Sequence, residues 1–342
     1  MKLLILGGTM FLGRHLVDSA LVRGHTITLF NRGKTNPDLF PEVEKIRSDR
    51  KESLAPLAGR RFDAVIDTCG YVPRVVRMAA TALAPLADHY TFISSISVYA
   101  DMKTPGQGED APLATLADET TEEVTGETYG GLKALCERVV TATLPGRSLV
   151  IRPGLISGPY DPTDRFTYWP VRIARGGEVL APAPPEATTQ HIDGRDLAAW
   201  TIHAVEQRLT GVFNATGPAY PLTWQEILET CRRVSGSDAT FTWVSAAFLA
   251  EQDVVPWSEI PLWVPEEESG MLNVSVARAV AAGLAFRPLA ATVADTLAWH
   301  ATRPAPAGGA APAGPEQKPA LRSGISPERE SAVLAAWRAR SV

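Results

Sequence analysis

The chain opens on a short apolar run, Lys2–Leu6, of strand length. Glycines 7, 8 and 13 follow, and Leu16, Val17, Ala20 and Leu21 then recur at helical spacing up to Arg23. Gly24 stops that helix, and residues 25–30 predict a second strand. Residues 44–46, 64–67 and 90–94 predict strands three to five, with a helix over 73–86. A helix over 128–143 and a sixth strand over 149–152 come next, and 191–196 and 211–214 read as short returns to the main sheet. Strands alternating with helices predict an α/β fold, a doubly wound parallel sheet covered on both faces. Further helices are predicted over 224–234, 246–252, 275–282 and 289–300.

The organisation that follows is a Rossmann dinucleotide-binding domain over 1–175, its sheet completed by about 188–217. A smaller, interleaved C-terminal domain for substrate occupies most of 176–302. A Pro/Ala/Gly-rich linker spans 303–325, and a helix over 326–342 starts with Ser326 as N-cap and Pro327 in its first turn.

Composition removes several classes. A formal net charge of −5 over 342 residues argues against general nucleic-acid binding. Cys69, Cys136 and Cys231 show no C-x-x-C spacing, which suits a reduced, cytoplasmic protein. The six histidines have no metal-ligand spacing, so no metal is expected. Met1 enters the first strand almost at once, leaving no room for a signal peptide, and no apolar run reaches membrane-spanning length.

Strand, glycine turn, helix and strand within about thirty residues form a dinucleotide-binding unit. The helix N-terminus offers N–H groups to a pyrophosphate. Gly7 makes the tight turn and Gly13 lets helix and strand pack closely. Met10 stands where a middle glycine is expected, so its side chain must point away. Thr9, Met10, Phe11 and Leu12, between the glycines, complete this set of cofactor candidates. At the end of the second strand stand Asn31, Arg32, Gly33 and Lys34. No carboxylate is there for a ribose 2′-hydroxyl, and a guanidinium suits a 2′-phosphate. NADP(H) is therefore expected over NAD(H), with Arg14 as a second positive charge.

Tyr129 and Lys133 lie at i and i+4, on one face of the predicted helix. An ammonium beside a phenol lowers its pKa, which equips Tyr129 as a general acid or base. Ser95, at the end of the fifth strand, could hold a carbonyl or alcohol for it.

With GGTMFLG, SSISVY, YGGLK, IRPGLISGP and HIDGRDLA in order, the chain resembles the extended short-chain dehydrogenase/reductase superfamily of the NAD-dependent epimerase/dehydratase type. The likeness covers about residues 1–300 and is nearest an atypical "reductase" branch with a GGTxFLG turn. It implies that Ser95 polarises the substrate, Tyr129 is the acid/base, and Lys133 binds the nicotinamide ribose. It also implies Asp49 beside the adenine, Thr68, Cys69 and Gly70 along the cofactor, and Pro153 near the nicotinamide. Cys69 is not expected to be a nucleophile, since nothing basic flanks it.

The chain departs from the pattern in ways that matter. Ile96 and Ser97 replace the Asp-Glu of the dehydratases. Leu155 and Thr189 replace two ligands of a substrate diphosphate, so the substrate need not be a nucleotide sugar. Three functions stay open. The first is NADP(H)-dependent oxidation or reduction of a small polar substrate, sugar- or aminocyclitol-like. The second is epimerisation with a retained cofactor. The third is a cofactor-binding regulatory or RNA-binding role, since chloroplast stem-loop-binding proteins share a similar opening. Residues 109–127 carry seven carboxylates and no Lys or Arg, which reads as a solvated loop or, more sharply, as an acidic rim that would attract an amine-bearing substrate. Val75, Met78, Ala79, Ala82, Leu135, Val139 and Val140 give two helices apolar faces that leave a homodimer open.

Overall fold

The computed structural model describes residues 1–303 and 321–340. They form two compact units. Unit one comprises Met1–Ile156, Gln190–Ala219 and Gly270–Phe286; unit two comprises Ser157–Thr189, Tyr220–Ser269 and the described part of Arg287–Val342.

Unit one is built on seven strands: β1 (Lys2–Leu6), β2 (Thr26–Asn31), β3 (Glu44–Arg47), β4 (Phe62–Asp67), β5 (Ala87–Ile93), β6 (Ser148–Pro153) and β7 (Gly211–Ala215). Their order is β7-β6-β5-β4-β1-β2-β3, and every neighbouring pair is parallel. The order reverses between β1 and β4, the point at which such sheets open a crevice at their carboxyl edge. Both faces are covered, which is why the central strands read as continuous apolar runs. Leu3, Ile5, Leu29, Ile66 and Ile151 pack with Leu16 and Val17 of α1 (Leu12–Val22) on one face. Leu4, Leu6, Val65, Tyr90 and Phe92 pack on the other with Val76 and Ala80 of α2 (Pro73–Leu83) and Val140 of α3 (Tyr129–Thr143). The doubly wound parallel fold is therefore as expected.

One expectation needs correction. Residues 191–196 do not return to the main sheet. His191–Asp193 pairs with Leu155–Ser157 in a separate ladder, and the Asp193 side chain caps α4 (Gly194–Glu206), a helix that packs on α1. Of the apolar residues on the two helices, Val75, Ala79, Leu135, Val139 and Val140 are buried within the chain.

In unit two, a parallel pair, Glu178–Pro182 and Thr240–Val244, and a helix, Tyr168–Ala174, lie in or pair with the stretch that sequence left without structure. Trp169 packs on Trp224 at 5.0 Å between ring centres. The last helix, Pro327–Arg340, is anchored by the buried Glu330, which accepts from Arg172 Nε at 2.6 Å and from the Leu180 N–H at 3.0 Å. Most of the expected linker, 304–320, lies outside the described residues.

Candidate functional site

The glycine turn leaves the carboxyl end of β1 with Gly7 at φ 107° and Gly8 at φ 94°, backbone angles that L side chains rarely adopt. A Cβ on Gly7 would stand 2.5 Å from Thr68 Oγ1, and one on Gly13 would stand 2.9 Å from Gly8 Cα. Met10 is 55% exposed, so its side chain does turn outward. No side chain caps α1 and no acidic residue occupies its first turn, so its positive dipole end is uncompensated. This turn fits a dinucleotide pyrophosphate. Thr9 Oγ1 donates to the Thr35 carbonyl, and Asn36 donates back to the Thr9 carbonyl, fixing the turn to the loop after β2. Phe11 precedes α1 at φ 39°, and Leu12 begins the helix.

At the end of β2, the Asn31 amide donates to the Gly7 carbonyl at 2.8 Å and its oxygen accepts from the Gly33 N–H. Arg47, opposite Asn31 on β3, donates to the Asn31 side chain and to the Pro37 carbonyl. Arg32 and Lys34 are exposed. Asp49, just past β3, is half-buried and accepts from the Lys51 N–H.

At the end of β4, Thr68 Oγ1 and Cys69 Sγ both reach the Leu6 carbonyl. Sequence missed what holds this edge. Arg50 grips Asp67 with two hydrogen bonds of 2.6 and 2.7 Å, and Tyr90 Oη donates to the same carboxylate at 2.8 Å. Burial alone would raise the Asp67 pKa; the Arg50 charge and hydrogen bonds outweigh it and hold the carboxyl low. Arg50 also lies 3.4 Å from Cys69 Sγ, so Cys69 does have a basic neighbour. Burial and Asp67 still push its thiol up, against nucleophilic use.

Lys133 is buried, and its Nζ donates to the carbonyls of Gly70, at 2.8 Å, and Ile93, at 2.6 Å. It lies 4.4 Å from the centre of the Phe92 ring. Burial brings its pKa down to about 8. Tyr129, one turn earlier on α3, has its phenol raised by burial, while the Ser95 side chain draws it back. The expected lowering of Tyr129 by Lys133 is thus not found, because the ammonium is committed to two carbonyls. Ser95 caps a short turn over Ile96–Val98: its Oγ accepts from the Ser97 N–H at 3.1 Å and donates to Ser97 Oγ at 3.0 Å. Gly130 lets α3 approach this turn, since a Cβ there would stand 2.1 Å from the Ser97 carbonyl oxygen.

A second network missed by sequence ties α3 to β6. Arg152 donates to Glu137, two turns beyond Tyr129, at 2.7 Å, and also to Tyr99 Oη and the Glu109 carbonyl. Pro153 follows it at the end of β6, in register with Ala215. Glu109 is itself buried and accepts from the Asn214 N–H. Glu119 pairs with Arg138 and Glu122 with Arg74, both at the exposed surface. Leu155 is half-buried, and Thr189 Oγ1 donates to the Leu262 carbonyl.

The structure thus brings Gly7, Thr68, Cys69, Gly70, Ser95, Tyr129 and Lys133 to the carboxyl edge around the β1/β4 reversal. Among the described residues no His/Cys/Asp/Glu group could hold a metal, and no helix is long and apolar enough to cross a membrane. The model of the NAD dependent epimerase/dehydratase family matches residues 3–215. The chain belongs to that family. The family's description names NAD-dependent epimerases and dehydratases. A relative, the chloroplast stem-loop binding protein of 41 kDa b from Arabidopsis thaliana, is 27% identical over 69% of this chain; the match spans 63% of that protein's length. Epimerase family protein SDR39U1 of Bos taurus is 26% identical over 73% of this chain and 86% of its own. Among solved structures, UDP-glucuronic acid 4-epimerase from Bacillus cereus in complex with NAD shares the fold with a TM-score of 0.64 and 16% identity, covering 87% of this chain and 96% of that one.

Proposed function

We propose that the protein is an NADP(H)-dependent oxidoreductase acting on a hydroxyl or keto group of a small polar, sugar-like substrate through Ser95, Tyr129 and Lys133. The observation that carries the reading is the meeting of Ser95 and Tyr129, with Lys133 one turn on, at the edge where the glycine turn opens. The residues fit a nicotinamide dinucleotide, which when bound supplies or accepts the hydride. Ser95 Oγ, oriented by Ser97, holds the substrate oxygen. Tyr129 Oη gives that oxygen a proton in reduction and takes it in oxidation. Lys133 keeps a cation in a buried place beside Gly70, and the one ammonium hydrogen not given to the Gly70 and Ile93 carbonyls would serve a ribose hydroxyl. Its pKa of about 8 leaves it largely protonated at neutral pH.

A second reading, epimerisation with a retained cofactor, is favoured by the family and by its structural neighbours. The two readings separate by mass spectrometry of the purified protein and by absorbance at 340 nm. Net reduction consumes added NADPH; epimerisation leaves it unchanged and retains an oxidised cofactor. The preference for NADP(H) rests on Arg32 and Lys34, because Arg47 is committed to Asn31 and the Pro37 carbonyl. Arg32→Asp is expected to weaken NADPH binding about tenfold or more while NADH binding holds or improves. Unchanged relative dissociation constants would remove Arg32 as the selector.

A further inference from the structure

The amino edge of the seven-stranded sheet, at the other end of the strands from the glycine turn, carries a cleft that the proposed chemistry does not use. It lies in unit one, where the chain enters β5, β6 and β7, and its volume is about 320 Å³. Asp88 and His89 line it from β5, Gly146 and Arg147 from the turn before β6, and Arg208 and Thr210 from the turn before β7.

Arg147 is half-buried, and its Nη1 donates to the carbonyls of Ala84 and Ala87 at 3.2 and 3.0 Å. These bonds orient the guanidinium and leave its Nε and Nη2 hydrogens to donate elsewhere. Arg208 is exposed, and its Nη2 stands 3.9 Å from Asp88 Oδ2, too far for a hydrogen bond. Asp88 is bonded through its other oxygen, which accepts from Arg61 Nη2 at 3.0 Å. His89 is 2% exposed. Its Nε2 lies 2.8 Å from the Leu209 carbonyl, and a carbonyl only accepts, so Nε2 carries the hydrogen. Burial and the Arg208 charge lower the His89 pKa, so the ring is neutral at neutral pH and Nδ1 is an acceptor. Nδ1 has no hydrogen-bond partner among the described residues. The walls of the cleft thus carry two guanidiniums with donors to give, beside two acceptors with room for a donor.

We propose that this cleft binds hydrogen phosphate, an oxyanion that still carries a proton. Its bare oxygens accept from Arg147 and Arg208, the pairing that a planar guanidinium suits best. Its P–OH donates to Asp88 or His89. Sulfate offers the same oxygens without the proton, so it meets Asp88 with like charge and gives His89 nothing. A phosphodiester has no such proton either, which sets the backbone of nucleic acids aside. None of these groups belongs to the edge where Ser95, Tyr129 and Lys133 meet, and the binding does not depend on the function proposed there.

The test is calorimetric titration of the full chain at neutral pH and fixed ionic strength with inorganic phosphate, sulfate and dimethyl phosphate. Phosphate is expected to bind about tenfold or more tightly than the other two, the scale of one unpaired polar group. Arg208→Met should weaken phosphate about tenfold, while Asp88→Asn, which ends the repulsion, should bring sulfate close to phosphate. Melting temperatures check that both variants fold. Turnover should stay at the wild-type level in both, and Tyr129→Phe should bind phosphate unchanged, so the failure of this site and that of the proposed chemistry are told apart. Monomethyl phosphate separates the sources of the group. Its second proton leaves at a pH of about 6, so it should bind more weakly than free phosphate, and tighter binding would make a phosphorylated metabolite the source. Arg208→Met also distinguishes this cleft from the glycine turn, whose backbone donors it does not touch. No binding at about 10 mM phosphate, sulfate bound as tightly as phosphate by the wild type, or a phosphate affinity that folded Arg208→Met leaves unchanged would overturn the proposal.

Discussion

Asp67 and Asp161 are both buried carboxylates, one in each unit, and their surroundings push them in opposite directions. Asp67 is met on both oxygens by Arg50 and on one of them by Tyr90, and it is held ionised. Asp161 is bonded on one oxygen only, and burial pulls it toward its neutral form. A closed cluster of this kind fixes the end of β4, from which Thr68, Cys69 and Gly70 continue. A carboxylate bonded on one oxygen only is costly to the folded chain. The contrast teaches that burial alone does not decide whether a carboxylate stays ionised; the completeness of its pairing does.

Asp67→Asn should show the largest effect on stability. It leaves the Arg50 guanidinium buried without its counter-charge and is expected to cost about 3–5 kcal/mol in urea unfolding. Replacing both partners, Asp67→Leu with Arg50→Met, should cost much less, because no lone charge remains buried. A double variant as unstable as the single one would mean that shape, rather than pairing, carries the contribution. The sign with pH follows from the depressed pKa: the stabilisation is present above the unfolded carboxyl value and is lost as pH falls through the lower folded one.

Lys133 sharpens the contrast as a buried charge with hydrogen bonds but no carboxylate. Its folded value, about 8, lies below its ordinary 10.5. Between these values the unfolded chain binds more protons, so this group makes stability rise with pH across that window. Lys133→Met should flatten that rise. An unchanged slope would show that Lys133 is not the titrating group.

The smallest effect is expected at Asp161. Asp161→Asn removes a charge that burial disfavours, so at neutral pH stability should change by less than about 1 kcal/mol, or improve. A loss as large as that at Asp67 would break the comparison and make Asp161 a structural anchor.

The parts of the molecule legible in sequence are those whose signal is local. Gly7, Gly8 and Gly13 mark the turn because φ and close approach demand glycine there, and β1 and β2 flank it as unbroken apolar runs. Tyr129 and Lys133 were found because a helix face is a fixed spacing. Arg50 was missed because it meets Asp67 only when the ends of β3 and β4 come together, 17 residues apart in the chain. Arg152 and Glu137 were missed for the same reason. The helix Gly194–Glu206 did carry a local signal, Asp193 as its cap, but reading 191–196 as strand concealed it. The Tyr129 phenol could not be read from spacing either, since the destination of the Lys133 ammonium is set by carbonyls of Gly70 and Ile93, far off in sequence.

The proposed chemistry stands most directly on the Tyr129 hydroxyl, and Tyr129→Phe removes that oxygen alone. Turnover of the substrate and the dissociation constant for NADPH should be measured on the same preparation. The expected result is a fall in kcat of about 10²–10⁴-fold, with NADPH binding changed little. Turnover close to that of the wild type, with the cofactor still bound, would contradict the assignment of Tyr129 as the acid and base.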